Sequence, residues 1–379
     1  MFLLKGAIKY MILRDVSFLQ LKKECKNKQI ICVGCGNLFL NLLNFGDKDL
    51  VSKITCVSDN FPKENIKKVG NKEVRVIKTS DITKELLSNK VILITVMEVK
   101  SVYLQLSNML KDIDIVCYIY TLISLHTDSY TYIPKIGENK IPKKIHYCWF
   151  GKKEIPYQNR VWMESWEKMC PDYKIIEWNE HNYDITKNRY MKQAYEERKW
   201  GFVSDYARLD IIYNYGGIYL DTDVELYNNF DKLLSENAFV GFQRNFYVNL
   251  GLGFGAEEKN EIIKELRDMY NERSFFKEDD TYNLLTCTDY QTKDLLKYGL
   301  KCNNQMQYVN NMIVLPTDVL DPQGYNGGII RKTVNTIGVH HYDESWVEYD
   351  IKKENNFRYN QLNEIRKYIV NSTIAESKE

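Results

Sequence analysis

The chain has 379 residues, more than one hydrophobic core usually organises, so two domains are expected. Its 44% hydrophobic and 13% aromatic residues can build those cores and argue against a disordered chain. Lys and Arg total 52 against 51 Asp and Glu, a net charge of +1, so no broad basic field gathers nucleic acid or anionic lipid and partners must be recognised locally.

The first stretch, MFLLKGAIKYMILRD, is broken by Lys5, Lys9 and Arg14 and lacks the apolar core of a signal peptide. The longest uncharged apolar run, Ile115 to Leu125, is 11 residues, against the roughly 20 needed to span a bilayer. A cytoplasmic protein is expected, with at most peripheral contact at the inner face of the membrane. The nine cysteines show no zinc-like spacing and read as free, mostly buried thiols of a reducing compartment.

From residue 28 to 120 the short apolar runs QIICV, ITCVSD, VRVI, VILITVM and IDIVCYIY alternate with amphipathic stretches such as Asn37 to Phe45 and Val99 to Leu110. That alternation predicts βαβ units and a parallel sheet covered on both faces. Gly34-Cys35-Gly36-Asn37-Leu38-Phe39 follows the first run and opens a helix, and Asp59 ends the next strand 23 residues after Gly36. The context is that of a dinucleotide loop, with Phe39 standing where a third glycine would allow close helix–strand packing. It resembles the Rossmann-like domains fused to sugar-modifying enzymes. Gly34, Gly36 and Asp59 are thus candidates for a nucleotide loop, and a docking module is the other reading of the same pattern. This first domain is assigned to residues 1–133.

Residues 134–144, PKIGENKIPKK, have linker composition, and a second domain is assigned to 145–350 with a helical tail at 351–379. IHYCWFG and KIIEW read as strands. A helix is expected from about Ser204 to Tyr215, capped by the Ser204 hydroxyl and stopped by Gly216-Gly217. If the chain is extended from Ile218 to Asp223, Tyr219, Asp221 and Asp223 share one side while Ile218 and Leu220 enter the core. Two carboxylates one residue apart can share a hard divalent cation, Mn²⁺ or Mg²⁺. An isolated D-x-D is more often a pair of solvated turn residues, so its setting matters. Asp205 and Arg208 lie three apart on the preceding helix, where the plainer reading is an ordinary ion pair.

Four blocks, IPKKIHYCWFG, ESWEKMCPDYKIIEWNE, FVSDYARLDIIYNYGGIYLDTDVEL and HHYDESW, run in this order over most of residues 140–350. Together they resemble glycosyltransferase family 32, of the capsular-polysaccharide and yeast-mannosyltransferase type, and distantly the large clostridial glucosylating toxins. The resemblance implies an α/β chain whose second domain has a GT-A fold. It implies that Asp221 and Asp223 form the metal motif, that Asp205, Arg208 and Tyr219 face the donor sugar and its phosphate, and that Trp149 stacks on the donor base. In HHYDESW a neutral imidazole is expected as third metal ligand; His340 and His341 alternate, so one faces the metal, and His341 is the choice made here. Ser345 and Trp346 resemble a hydroxyl and an indole N–H that hold donor phosphates. Asn249, in the glycine-rich NLGLGFG, is expected to bond sugar hydroxyls.

The implied activity is a metal-dependent transfer of a hexose from a UDP- or GDP-sugar to a surface-polysaccharide or lipid-linked glycan acceptor, with retention by analogy and no general base named. Two other readings are an effector-type protein glycosyltransferase and a non-catalytic nucleotide-sugar-binding scaffold of a polysaccharide assembly complex.

Overall fold

The structure, a computed structural model, describes residues 11–69, 72–111, 113–123, 137–323 and 330–343 together with residues 126, 130, 132, 364, 365 and 369. The chain divides into two compact units, one of Met1–Asp128 with Lys301–Asn303 and Lys353–Glu379, the other of Ser129–Leu300 and Asn304–Lys352.

The first unit runs β1 (Met11–Arg14), α1 (Phe18–Glu24), β2 (Gln29–Val33), α2 (Asn37–Phe45), α3 (Lys48–Ser52), β3 (Ile54–Asp59), β4 (Ile66–Val69), β5 (Lys72–Lys78), β6 (Lys90–Ile94), α4 (Val99–Met109), β7 (Ile115–Ile119) and α5 (Tyr120–Ile123). Its sheet has the order β1-β7-β6-β2-β3-β5-β4, and every pairing is parallel except β4 with β5. The order of strand addition reverses between β2 and β6, which is where ligands collect in doubly wound sheets. Strands buried on both faces explain why the runs read as nearly continuous apolar sequence: Ile30, Ile31, Cys32, Ile92, Leu93 and Ile94 are all fully buried.

The second unit contains β8 (Lys144–Cys148), α6 (Tyr157–Met169), β9 (Lys174–Trp178), α7 (Arg189–Glu196), α8 (Trp200–Tyr215), β10 (Gly217–Tyr219), β11 (Val224–Leu226), β12 (Ala238–Phe242), β13 (Val248–Ala256), α9 (Glu261–Asp268), α10 (Cys287–Leu296), β14 (Gln307–Val309), β15 (Met312–Leu315), α11 (Thr317–Leu320) and β16 (Gly338–His340). Its main sheet, β14-β15-β12-β13-β10-β8-β9, mixes parallel pairs (β8 with β9, β10 with β8, β12 with β15) and antiparallel ones (β10 with β13, β12 with β13, β14 with β15). A separate two-stranded ribbon pairs β11 with β16. The α/β class expected from the sequence is the one observed, with parallel pairing in both large sheets.

The helix α8 begins a turn earlier than its sequence suggests. Ser204 is not its cap: its hydroxyl donates back to the Trp200 carbonyl inside the helix, at 3.4 Å. Phe202 and Val203 are buried, and that packing extends the helix past the cap signal. The end matches expectation: Gly216 (φ 57°) and Gly217 (φ 106°) both take the left-handed region, which turns the chain directly into β10. Nearly every residue from Phe202 to Ile212 is buried, so α8 is an interior helix, polar side chains included.

Candidate functional site

The strand after α8 delivers the two carboxylates, though by a turn and not by strand alternation. Ile218 pairs with Ile145 and Tyr219 with His146 on β8, and the Leu220 N–H continues that pairing to the His146 carbonyl at 3.0 Å. The Asp221 N–H then reaches the Gly251 carbonyl of β13 at 3.3 Å, and the Val224 N–H closes back on the Asp221 carbonyl at 3.1 Å. Thr222 and Asp223 form the bend, which folds the second carboxylate toward the first. Ile218 and Leu220 are fully buried, as the alternation predicts for the strand itself.

Behind Asp221 stands a charged cluster with almost no access to water. The Tyr219 hydroxyl donates to Asp221 Oδ1 at 3.0 Å, and the Arg208 guanidinium lies 5.2 Å from the centre of the Tyr219 ring. Arg208 donates from Nε to the Ser204 carbonyl at 3.0 Å and from Nη2 to Asp205 Oδ1, and its Nη1 is 3.6 Å from Asp221 Oδ2. Asp205 and Arg208 are 5% and 4% exposed, so the plain reading of an exposed i,i+3 pair fails. Burial, with the charge of Asp221 adding to it and Arg208 opposing, pushes Asp205 up to about 6. The Cys287 thiol at the start of α10 is hydrogen-bonded to Asp205.

The third potential ligand is His340, and this corrects the choice of His341. Antiparallel pairing sets Val224 opposite His340, and His340 Nε2 then lies 3.2 Å from Asp223 Oδ1 and 3.9 Å from Asp221 Oδ2. One donor atom from each of Asp221, Asp223 and His340 falls within 4.8 Å of the others. His341 faces elsewhere: its N–H bonds the Asp223 carbonyl at 2.9 Å, while its Nε2 meets Glu225 Oε2 at 2.9 Å. The expectation that one of the two histidines faces the carboxylates was sound, but which one depends on strand register, which the sequence does not carry.

Two carboxylates and one imidazole make a donor set of the kind that Mn²⁺ or Mg²⁺ accepts. The charge distribution fits a site for a cation as well. Burial works to lower the His340 pKa, yet Asp223 and Asp221 outweigh it and hold the imidazole up to about 10, so a proton supplies the positive charge that the pair demands. Asp223 is held below the usual carboxylate range, its burial outweighed by His340 and by the Asp343 N–H, which donates to Oδ2 at 2.9 Å. His340 Nδ1 is buried and has no partner among the described residues. We expect His340→Ala to weaken Mn²⁺ binding by at least about 10- to 100-fold in calorimetry, the scale on which even outer-shell changes act; a smaller loss than that of His341→Ala would reverse the assignment.

The other sequence candidates are placed as follows. Trp149 lies just past β8, half-buried, its indole N–H donating to the Lys153 carbonyl at 2.6 Å. Asn249 is engaged at both amide atoms: Nδ2 donates to Gln243 Oε1 at 2.9 Å and Oδ1 accepts from the Gly251 N–H at 2.7 Å. It braces the backbone of Gly251, and Gly251 is the position that sequence reasoning passed over. A Cβ built there would stand 2.3 Å from Asp221 Oδ2 and 3.3 Å from Arg208 Nη1. Cys287 was missed too, because a lone cysteine far along the chain carries no local signal. Ser345 and Trp346 lie outside the described residues.

In the first unit, Gly34 (φ 102°) ends β2, its N–H donating to the Ser58 carbonyl at 2.8 Å, and Gly36 caps α2. Asp59 is drawn onto this loop: Oδ2 accepts from Cys35 Sγ at 3.1 Å and from the Cys35 N–H at 3.4 Å, and Oδ1 accepts from the Phe61 N–H at 3.0 Å. Phe39 is fully buried beneath. All nine cysteines are unpaired and seven are buried. Among the described residues no helix is long and apolar enough to cross a membrane.

Comparison with known proteins places a family match in the second unit. A family described as a glycosyltransferase sugar-binding region containing a DXD motif matches residues 156–240, from α6 to β12. The chain is 33% identical over 108 residues to inositol phosphoceramide mannosyltransferase 3 of Schizosaccharomyces pombe, covering 26% of this chain and 29% of that one. It is 30% identical over 155 residues to a mannosyl phosphorylinositol ceramide synthase of Saccharomyces cerevisiae, covering 36% and 40%. It is also 27% identical over 187 residues to subversion of eukaryotic traffic protein A of Legionella pneumophila, covering 40% and 28%. The chain thus spans between 28% and 40% of the length of these relatives. Among solved structures, the PaToxG glycosyltransferase aligns with a TM-score of 0.35 at 19% identity, over 41% of this chain and 68% of that one. A glycosyltransferase involved in glycosylation of the major capsid of PBCV-1 aligns with a TM-score of 0.33 at 15% identity, over 58% and 99%.

Proposed function

We propose that the second unit is a GT-A glycosyltransferase that moves a hexose from a UDP- or GDP-sugar to a glycan or lipid-linked acceptor, with Mn²⁺ or Mg²⁺ held by Asp221, Asp223 and His340. The observation that carries this reading is the convergence of those three side chains, from a turn and a distant strand, beside a buried Arg208. The matching DXD family supports it, and the mannosyltransferase relatives favour mannose as the sugar and an inositol-bearing lipid among the acceptors.

When bound, the cation supplies Lewis-acid charge to a departing diphosphate. The protein's own residues set the rest. Arg208 is a permanent positive charge fixed by Ser204, Asp205 and Asp221, ready for a phosphate oxygen without reorganisation. The Asp205 carboxylate offers an acceptor to the sugar, the Tyr219 hydroxyl holds Asp221 with its one O–H and keeps its oxygen as an acceptor, and Trp149 offers a surface to the base. Asp205 pairs with Arg208 while Asp221 and Asp223 face His340, so none of these three is assigned as a nucleophile. Retention through a same-face path is part of the proposal by analogy with the family that the sequence resembles.

The test is to incubate the full chain with a panel of UDP- and GDP-sugars and Mn²⁺, and to measure nucleoside diphosphate. Slow release from one donor, stopped by EDTA, is expected; no release across the panel would leave a binding scaffold. The likeness to the Legionella protein favours one second reading, a protein acceptor, and the same assay with candidate proteins would decide it. A Gly251→Ala chain is expected to turn over its donor about 100-fold more slowly with unchanged circular dichroism, because the new methyl displaces Asp221 by around an ångström. Near-normal turnover would mean that Asp221 has room to move.

For the first unit we propose a nucleotide ligand at the Gly34–Gly36 loop, bounded by Asp59. Titration with NAD(H) and nucleotide-sugars in a calorimeter tests it, and silence across the panel would favour a docking module.

A further inference from the structure

The helix α6 is fastened along the segment that carries the two aspartates. Asn159 Nδ2 donates to Thr222 Oγ1 at 3.1 Å, Ser165 Oγ accepts the Leu226 N–H at 2.7 Å, and Trp166 Nε1 donates to the Val224 carbonyl at 2.8 Å. Residues 159, 162 and 166 follow helical spacing and share one face. Trp162, on that face, is half-buried and stacks on His341 with ring centres 4.3 Å apart and planes 5° apart.

Around this stack, hydrogen-bonding capacity is left open. Glu225 Oε2 accepts from both His341 Nε2 and the Tyr227 hydroxyl at 2.9 Å, its side chain is 30% exposed, and Oε1 has no donor among the described residues. Asn159 Oδ1, on a residue 4% exposed, is buried without a partner among the described residues, one turn from Trp162. A stack that served packing alone would not need an unused carboxylate oxygen, and an orphaned buried amide oxygen costs about 1–3 kcal/mol. An aromatic face flanked by acceptors matches one chemistry well: a ring with an apolar C–H face and several hydroxyl donors.

The position is equally specific. The His341 N–H bonds the Asp223 carbonyl, so this surface adjoins the ion site on its Asp223 side, while Arg208 and Asp205 stand on its Asp221 side. We propose that Trp162, Glu225, His341 and Asn159 form the subsite for a hydroxyl-rich ring of the acceptor. The proposal rests on the glycosyltransferase reading above.

It is tested on the full chain, loaded with Mg²⁺ and a nucleoside diphosphate, by saturation-transfer NMR with methyl α-D-mannopyranoside and myo-inositol as probes. Wild type should give a signal with at least one probe. Trp162→Ala and Glu225→Gln should each lower it at least fivefold, and Trp162→Phe should keep part of it. No signal from wild type, or an undiminished signal in Trp162→Ala, overturns the subsite; if Trp162→Ala does not fold, Glu225→Gln decides by the same criterion. Donor breakdown without acceptor is measured on a separate portion of the same wild-type preparation, with the panel of nucleotide-sugars in place of the nucleoside diphosphate. Breakdown without a probe signal overturns the subsite alone, and a probe signal without breakdown overturns the donor reading alone.

Discussion

An Asp223→Asn chain is expected to fold normally and to lose donor turnover by about a thousandfold or more. Asparagine keeps the shape but removes the charge. Asp223 Oδ1 faces His340 Nε2 and Oδ2 accepts the Asp343 N–H, so with its oxygen toward Asp343 the amide turns an NH₂ group to His340, which can accept it only as a neutral imidazole. The His340 imidazole, held up to about 10 mainly against its own burial by Asp223, would also lose its principal partner. Charge stabilisation at a diphosphate supplies several kcal/mol, and about 4 kcal/mol corresponds to three decades in rate. Turnover of each donor at saturating Mn²⁺, with Mn²⁺ affinity from calorimetry, checks the expectation. A variant within tenfold of wild type would remove Asp223 from the ion site and the proposed function with it.

How much of this was legible in the sequence differs from residue to residue. The interior parallel strands were, because burial on both faces leaves continuous apolar runs: QIICV and ITCVSD are β2 and β3 residue for residue, whereas VILITVM runs past the end of β6 at Ile94 and the edge strands β1 and β4 carry no such run. The stop at Gly216-Gly217 was also legible, since only glycine takes those angles cheaply. Quantities that depend on pairing across the chain were not. The register of β11 against β16 decides between His340 and His341, and nothing within HHYDESW encodes it. The start of α8 was misjudged because a cap signal at Ser204 is worth about 1 kcal/mol, and burying Phe202 and Val203 exceeds it. Asn249 was read as an amide for sugar hydroxyls; that it also braces Gly251 was not legible, since this turns on Gln243 and Gly251 lying within reach. The contact of Cys287 with Asp205 joins α10 to α8, and sequence offers no local mark of such a contact.

The buried pair of Asp205 and Arg208 leads to the largest expected change in stability. Removing the carboxylate in Asp205→Ala strands a guanidinium that is 4% exposed, leaving it the Ser204 carbonyl and Asp221 at 3.6 Å. Breaking a buried pair in this way costs about 3–5 kcal/mol, and at about 2–4 °C per kcal/mol for a unit of this size the melting transition should fall by roughly 6–20 °C. Asp205→Asn keeps an oxygen for Arg208 and should lose much less. The two variants separate further with pH. Burial first, then the charge of Asp221, raises Asp205 in the folded state to about 6, against 3.8 for the free group. An acid whose folded pKa is raised binds its proton more tightly when folded, so its contribution is largest at low pH and is lost as pH rises from about 4 through about 6. The melting temperature of wild type minus that of Asp205→Asn should therefore decline between pH 4 and pH 6 and level off above, as followed by scanning fluorimetry. A difference that widens with rising pH would mean that Arg208 outweighs burial, so that the ionised pair itself holds α8 in place.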